Sequence, residues 1–281
     1  MKASYQTLHR SFGALVRGVA LEPPLPVDTL RDALDTYRLL LFRGHALSDE
    51  GQVHLMRCFG APLQENPQRE SLHSFVSNAR DDGILGESAY AFHSDHAFMP
   101  DPIDVLSLQA IEAPPGCGST RFADMVAAAA SLPADLRARI EGRMGRNVID
   151  PTADPGDIRM RESGSEGLPQ ALHPLLMTHP RTGRDTLFVT EQQTEQIEGL
   201  ARDESDALLE ALFAHLYSDA HVYVHEWQPG DLIVWDNLAL QHARPKLNRL
   251  PRTLRRVSVG GSSVFKLFEH ANGPMHRLRD A

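Results

Sequence analysis

"AFHSDHAFMP", residues 91–100, sets His93 and Asp95 two apart among aromatic side chains. In a strand, residues i and i+2 face the same way. His93 and Asp95 then point at one centre while Ser94 points away. Chance is a rival: with 14 histidines in 281 residues, random placement yields about one His-x-Asp. An imidazole and a carboxylate also leave a divalent metal short of at least one ligand. The 2-His-1-carboxylate facial triad meets that need and keeps coordination positions open, enough for a chelating cosubstrate and dioxygen.

The third ligand must come from elsewhere in the chain. Nine histidines follow His93, and spacing alone does not choose among them. Context favours His242, because "WDNLALQHARPKLNRLPRTLRR" places it just after a short apolar run that reads as a buried strand. Arg252 follows ten residues later, at the start of the next strand. In a regular strand Arg252, Leu254 and Arg256 share a face, with the two arginines about 13 Å apart at roughly 3.3 Å per residue. A guanidinium facing the inside of a β-structure is costly without an anionic partner. No acidic residue lies near Arg252 in sequence, and a bound dicarboxylate would supply the missing charge through a bidentate pair.

The chain is long enough for a sizeable core. Apolar residues make up 42% and charged residues 23%, which describes a folded globular chain rather than a disordered one. A formal net charge of −9 argues against nucleic acid and anionic membrane surfaces as main partners. The first residues carry no apolar core of signal-peptide length, and no run is long enough to span a bilayer. Cys58 and Cys117 are the only cysteines and form no CxxC pair, so the expected compartment is the reducing cytoplasm.

Leu30, Ala33, Leu34 and Tyr37 predict an amphipathic helix over 27–38. "RLLLFRG" reads as a buried strand ended by Gly44, and 47–60 as a second helix capped by Ser48. Strands are expected at 104–111, 186–190, 221–227, 231–236 and 253–259. A helix is expected over 203–217, with Asp203 as its N-cap and Leu208, Leu209, Leu212, Phe213 and Leu216 on one stripe. Short strands with helices around them, and no regular βαβ alternation, point to a mainly β sandwich or barrel with flanking helices. Residues 150–170 are rich in Pro, Gly, Ser and charge and are expected to form a long loop or lid. His221 and His225 share a strand face and could ligate zinc, although structural roles are the commoner fate of such a pair. His73, Asn78, Tyr90, Phe92, Phe98 and Met99 are candidates for the pocket lining.

Several blocks in order resemble the taurine dioxygenase / 2,4-D dioxygenase (TauD/TfdA) family of Fe(II)- and 2-oxoglutarate-dependent dioxygenases. They are "FGALVRGVAL" (12–21), "LLLFRG" (39–44), "FHSDHAF" (92–98), "APPGCGSTRFADM" (113–125), "HPLLMTHPRTGRDTLFV" (173–189), "WQPGDLIVWDN" (227–237), "QHA" (241–243) and "PRTLRRVSVGG" (251–261). The resemblance implies a double-stranded β-helix, the jelly roll of cupin-like proteins, in a single domain over 1–281. It implies His93, Asp95 and His242 as iron ligands. It further implies Arg252 and Thr120 on the distal carboxylate of 2-oxoglutarate, and Arg256 on 2-oxoglutarate or on the substrate's acid group. The cofactors implied are Fe(II), 2-oxoglutarate and O₂. The implied reaction oxidises a C–H bond of a small anionic or zwitterionic molecule, with release of succinate and CO₂.

The chain also departs from the family's usual pattern. Leu238 stands where an arginine often follows "WDN", and Ala89 stands where the taurine enzymes carry an asparagine, which counts against taurine as substrate. Asp95 is present where related halogenases have a small residue. Alternatives are a jelly roll that binds metal and 2-oxoglutarate without turnover, or a desaturase or cyclase of the same family. A metal-free serine hydrolase is disfavoured, since "GESAY" and "SGSEG" both fail G-x-S-x-G. A homo-oligomer, dimer or tetramer, is left open.

Overall fold

"LLLF" has no polar alternation because both faces of its strand are covered. Leu39 and Leu41 turn into a core with Leu106, Ile233, Trp235 and Leu254. Leu40 and Phe42 turn the other way, onto Leu30, Ala33 and Leu34 of the first helix. "LIVW" (232–235) divides likewise, with Leu232 and Val234 on the helix side and Ile233 and Trp235 inside. Each such aliphatic side chain contributes roughly 1.5–3 kcal/mol by leaving water. The computed structural model describes residues 3–65, 70–150 and 167–261.

The larger sheet contains, in spatial order, β1 (Ser4–Thr7), β2 (Ala14–Arg17), β3 (Leu39–Phe42), β15 (Leu232–Asp236), β7 (Val105–Glu112), β17 (Thr253–Val259), β4 (Ser74–Ser77) and β5 (Gly83–Leu85). The second sheet runs β14 (Val222–Glu226), β8 (Ser119–Asp124), β16 (Leu240–Arg244), β6 (Tyr90–His93). Phe122 of β8 packs edge-on to Trp235 of β15, with ring centroids 5.4 Å apart. The inner faces of the two sheets therefore meet, giving the expected mainly β jelly-roll core with flanking helices. Two small sheets lie outside it: β10 (Gln170–Pro174), β9 (Met144–Val148) and β13 (Thr194–Ile197), and the hairpin β11 (Leu176–Thr178) with β12 (Asp185–Leu187).

Helices α1 (Val27–Tyr37) and α2 (Asp49–Met56) cover the larger sheet. Ser48 caps α2, its hydroxyl accepting from Gly51 N at 3.1 Å. The helix ends at Met56, short of the expected 60. Helices α3 (Met125–Ala130), α4 (Ala134–Ile140) and α5 (Arg202–Leu216) pack beyond the second sheet. The expected stripe of α5 is buried, but its N-cap is Ala201 and Asp203 falls in the first turn. One extra residue enters the helix because Ala201 already has the extended backbone a cap needs. Of the loop expected over 150–170, residues 151–166 lie outside the described residues. No helix is long and apolar enough to cross a membrane, among the described residues.

Asp124 joins the sheets to the helical layer. It is fully buried, accepts from Val126 N and Ala127 N at the start of α3 and from Ser11 Oγ at 2.8 Å, and pairs with Arg38 Nη2 at 3.1 Å. Asp124→Ala strands the buried Arg38 charge and uncaps α3. It should destabilise the protein by about 3–5 kcal/mol and lower the circular-dichroism melting midpoint by roughly 10 °C. A fall of only about a degree would show that Arg38 does not depend on it.

Candidate active site

The register of the second sheet sets His242 on β16 directly across from His93 on β6. Their ring centroids are 4.2 Å apart. Asp95 does not share a strand with His93 as expected. The strand ends at His93, and Asp95 opens a turn that runs to Phe98. Asn237 holds it there: its Oδ1 accepts from Asp95 N at 2.9 Å, and its Nδ2 donates to Asp95 O at 3.0 Å and Ile103 O at 2.8 Å. Asp95 Oδ1 lies 3.2 Å from His93 Nε2 and 3.9 Å from His242 Nε2. The ligand atoms of the three residues fall within 4.8 Å of one another, the one such cluster among the described residues.

The protonation states suit a metal. His93 Nδ1 lies 2.9 Å from Ala91 O. A proton there donates to that carbonyl and leaves the Nε2 lone pair facing the centre. Burial, with His93 alongside, pushes His242 down to about 3 against the upward pull of Asp95, so its imidazole is neutral at physiological pH. Burial pushes the Asp95 carboxyl up, but the Arg256 guanidinium leads the opposing interactions that outweigh burial and hold it well below the usual carboxylate range. Arg256 Nη2 donates to Asp95 Oδ2 at 2.6 Å, and its Nη1 pairs with Glu65. Two lone-pair nitrogens and a carboxylate oxygen around one point repel each other unless a cation sits between them, so the donor set fits a divalent metal.

A second feature lies deeper between the sheets. Arg252 is 2% exposed, and its Nε and Nη1 are buried with no hydrogen-bond partner among the described residues. Its Nη2 donates to Thr120 Oγ1 at 3.3 Å. Burial depresses Arg252 to about 9, with the charge of Arg244 adding to the effect. Trp227 Nε1 also donates to Thr120 Oγ1, at 3.0 Å. A hydroxyl has one proton and two acceptor sites. With both acceptor sites taken, the Thr120 proton is available for an anion. An unpaired buried guanidinium beside a hydroxyl forced to donate fits a carboxylate ligand.

A model of the TauD family (taurine catabolism dioxygenase TauD, TfdA family) matches residues 4–258. The chain belongs to the TauD/TfdA family of Fe(II)- and 2-oxoglutarate-dependent dioxygenases. It is 32% identical to the alpha-ketoglutarate-dependent 2,4-dichlorophenoxyacetate dioxygenase of Cupriavidus pinatubonensis, over 92% of this chain and 97% of that one. It is 31% identical to pentalenolactone F synthase of Streptomyces arenae, over 93% and 94%. A putative taurine dioxygenase structure from Burkholderia xenovorans superimposes with a TM-score of 0.79 at 25% identity, covering 93% of each chain. AAD-2, solved with Mn(II) and N-oxalylglycine, superimposes with 0.76 at 27% identity, over 94% and 99%.

Of the six residues picked from the sequence, His93, Asp95 and His242 come together with Arg256 on Asp95, and Arg252 comes together with Thr120. Asn237 and Trp227 were missed. Both sit in quoted family blocks, but a buried asparagine or tryptophan carries no local signal of what it will bond. Asn78 supports the site more than it lines it, since its Oδ1 accepts from Arg252 N at 2.8 Å. Phe92 stacks on Tyr217, with centroids 4.2 Å apart, and belongs to the outer core. His221 and His225 hold no metal together: His221 bonds Ser131 and His215 O, while His225 faces Asp231 and Tyr223. Asn237→Ala should free the Asp95 turn and weaken Mn(II) binding about ten- to hundredfold by titration calorimetry; unchanged affinity would mean that Asp95 is positioned without it.

Proposed function

We propose that His93, Asp95 and His242 are the iron ligands and that Arg252 and Thr120 bind the distal carboxylate of 2-oxoglutarate, in one domain that oxidises a C–H bond of a small molecule. The observation that carries this reading is the pairing of a three-donor centre with a buried, unpaired Arg252. Bound Fe(II), with 2-oxoglutarate and O₂, supplies the oxidative decarboxylation to succinate and CO₂ and the oxidation of the substrate. The protein's share is orientation. Ala91 O sets the His93 tautomer, Asn237 holds the Asp95 backbone, and Arg256 keeps the Asp95 carboxylate ionised and turned to the centre. Buried Phe122 and Trp235 pack against His242 and keep water from its ring.

The substrate we propose is anionic or zwitterionic. Support comes from relatives whose names specify 2,4-dichlorophenoxyacetate, (S)-phenoxypropionate and a sulfate ester. Arg256 is the cation nearest the three donors, and Glu65 already engages its second nitrogen. A substrate acid group at Arg256 would compete there with Glu65. The proposed compartment is the cytoplasm, in keeping with two buried free thiols.

Anaerobic addition of Fe(II) and 2-oxoglutarate should produce a visible charge-transfer band, and His93→Ala should abolish it. A panel of aryloxy acids and sulfate esters scored by succinate release identifies substrates. No band with the unaltered protein would overturn the assignment, and a band with no succinate from any substrate would favour binding without turnover. Glu65→Gln should lower KM for acidic substrates about fivefold by freeing Arg256; an unchanged KM would place the substrate's acid group elsewhere.

A further inference from the structure

Arg244 follows His242 by two residues on β16, so its side chain leaves the sheet on the same face. The register of β16 against β8 runs from Leu240 opposite Asp124 to Ala243 opposite Arg121. One further step sets Arg244 across from Thr120, at the roughly 5 Å usual for cross-strand neighbours. The inner face of the second sheet thus carries two successive rows: His93, His242 and Phe122, then Arg244 and Thr120. The first row holds the proposed metal ligands. The second belongs to the pocket of Arg252.

Arg244 is 7% exposed. One edge of its guanidinium is used locally. Nε donates to Ser88 O at 3.1 Å, and Nη2 donates to Leu85 O at 2.8 Å and Ser88 O at 2.6 Å. The guanidinium carbon stands 5.1 Å from the centroid of the Tyr90 ring. Those contacts explain two of its three nitrogens. Nη1 is buried and has no hydrogen-bond partner among the described residues. Carbonyls and a ring face also leave the charge itself unbalanced. Arg252, close enough for Arg244 to disfavour its charged form, has two more unpartnered nitrogens. Two buried cations, one bonded to Thr120 and the other on the strand beside it, with three unpartnered donors in all, are costly in a protein interior. A carboxylate bound between them removes the cost for both.

We propose that Arg244 is a further binding residue for the cosubstrate, joining Arg252 and Thr120 around the distal carboxylate and making the enzyme selective for dicarboxylic over monocarboxylic 2-oxo acids. The proposal rests on the assignment of Arg252 and Thr120 made above. Arg244 then has two duties. Its Nε–Nη2 edge ties down the backbone of residues 85–88, and its Nη1 faces the cosubstrate. A purely structural arginine would have only the first.

Two ligands separate those duties. 2-Oxoglutarate and 2-oxopentanoate share the chelating end and chain length, and differ in a distal carboxylate against a methyl. Dissociation constants are measured anaerobically on the Fe(II) protein from the charge-transfer band, and on the Mn(II) protein from the rise in melting midpoint with ligand. Arg244→Met should weaken 2-oxoglutarate by at least about tenfold and change 2-oxopentanoate less than about twofold. Arg244→Lys, which keeps the charge, should fall between Arg244→Met and the unaltered protein for 2-oxoglutarate. Equal weakening of both acids would reveal a structural role and overturn the proposal, as would unchanged 2-oxoglutarate binding. If Arg244→Met does not fold, Arg244→Gln, which retains a donor for Ser88 O, is read by the same criteria. Arg252→Met is the reference. If it weakens 2-oxoglutarate and Arg244→Met does not, only the role of Arg244 fails; if neither does, the assignment of the whole pocket fails.

Discussion

The alignment of His93 with His242 across β6 and β16 is the constraint from which the site follows. Backbone hydrogen bonds of the ladder fix both imidazoles, so neither depends on a flexible loop. Only the carboxylate needs separate support, and Asn237 supplies it by bonding both the N–H and the carbonyl of Asp95. Asn237 comes directly after β15, whose strand is pinned between β3 and β7. The larger sheet therefore positions the one ligand that the smaller sheet does not carry. The proposed metal centre lies where the two sheets meet, and the tight packing between them holds its donors in place.

Charge balance explains the rest of the interior. Arg256 has carboxylates on two of its nitrogens, whereas Arg252 and Arg244 have none among the described residues. The first belongs to the resting protein and stabilises an ionised Asp95. The other two are set up for a charge that arrives with a ligand. A pocket of this kind favours its anion strongly because the cost of the unpaired cations is already present before binding. Thr120 fits the same pattern, since Trp227 and Arg252 occupy its acceptor sites and turn its proton outward.

The relatives' names specify chemically different molecules, while solved structures share the fold of this chain. That division matches the anatomy of this chain. The proposed iron and cosubstrate residues come mostly from strands or their immediate ends. Glu65, which competes for Arg256, comes from the segment between α2 and β4. Segments of that kind can change without disturbing the ladder, so substrate choice can diverge while the oxidising machinery stays in place.

Much was legible in the chain itself. Apolar runs such as "LLLF" and "LIVW" announce strands covered on both faces, because a strand with one wet face would alternate. His-x-Asp, the later histidine and the arginines ten and fourteen residues beyond it stand out as the proposed site because the family blocks that carry them resemble TauD/TfdA enzymes; the short motif alone does not single them out. Local pattern does not carry long-range pairing. Nothing near Asp95 indicates that it leaves the strand, or that an asparagine 142 positions away holds it. Nothing near Arg256 indicates Glu65, 191 positions away, and nothing near Arg244 indicates that the register of β16 on β8, continued by one step, leads to Thr120. Residue types determined the chemistry available to this protein. Sheet register and burial decided which charges meet a partner and which wait for one, because those depend on distances that exist only after the two sheets have packed.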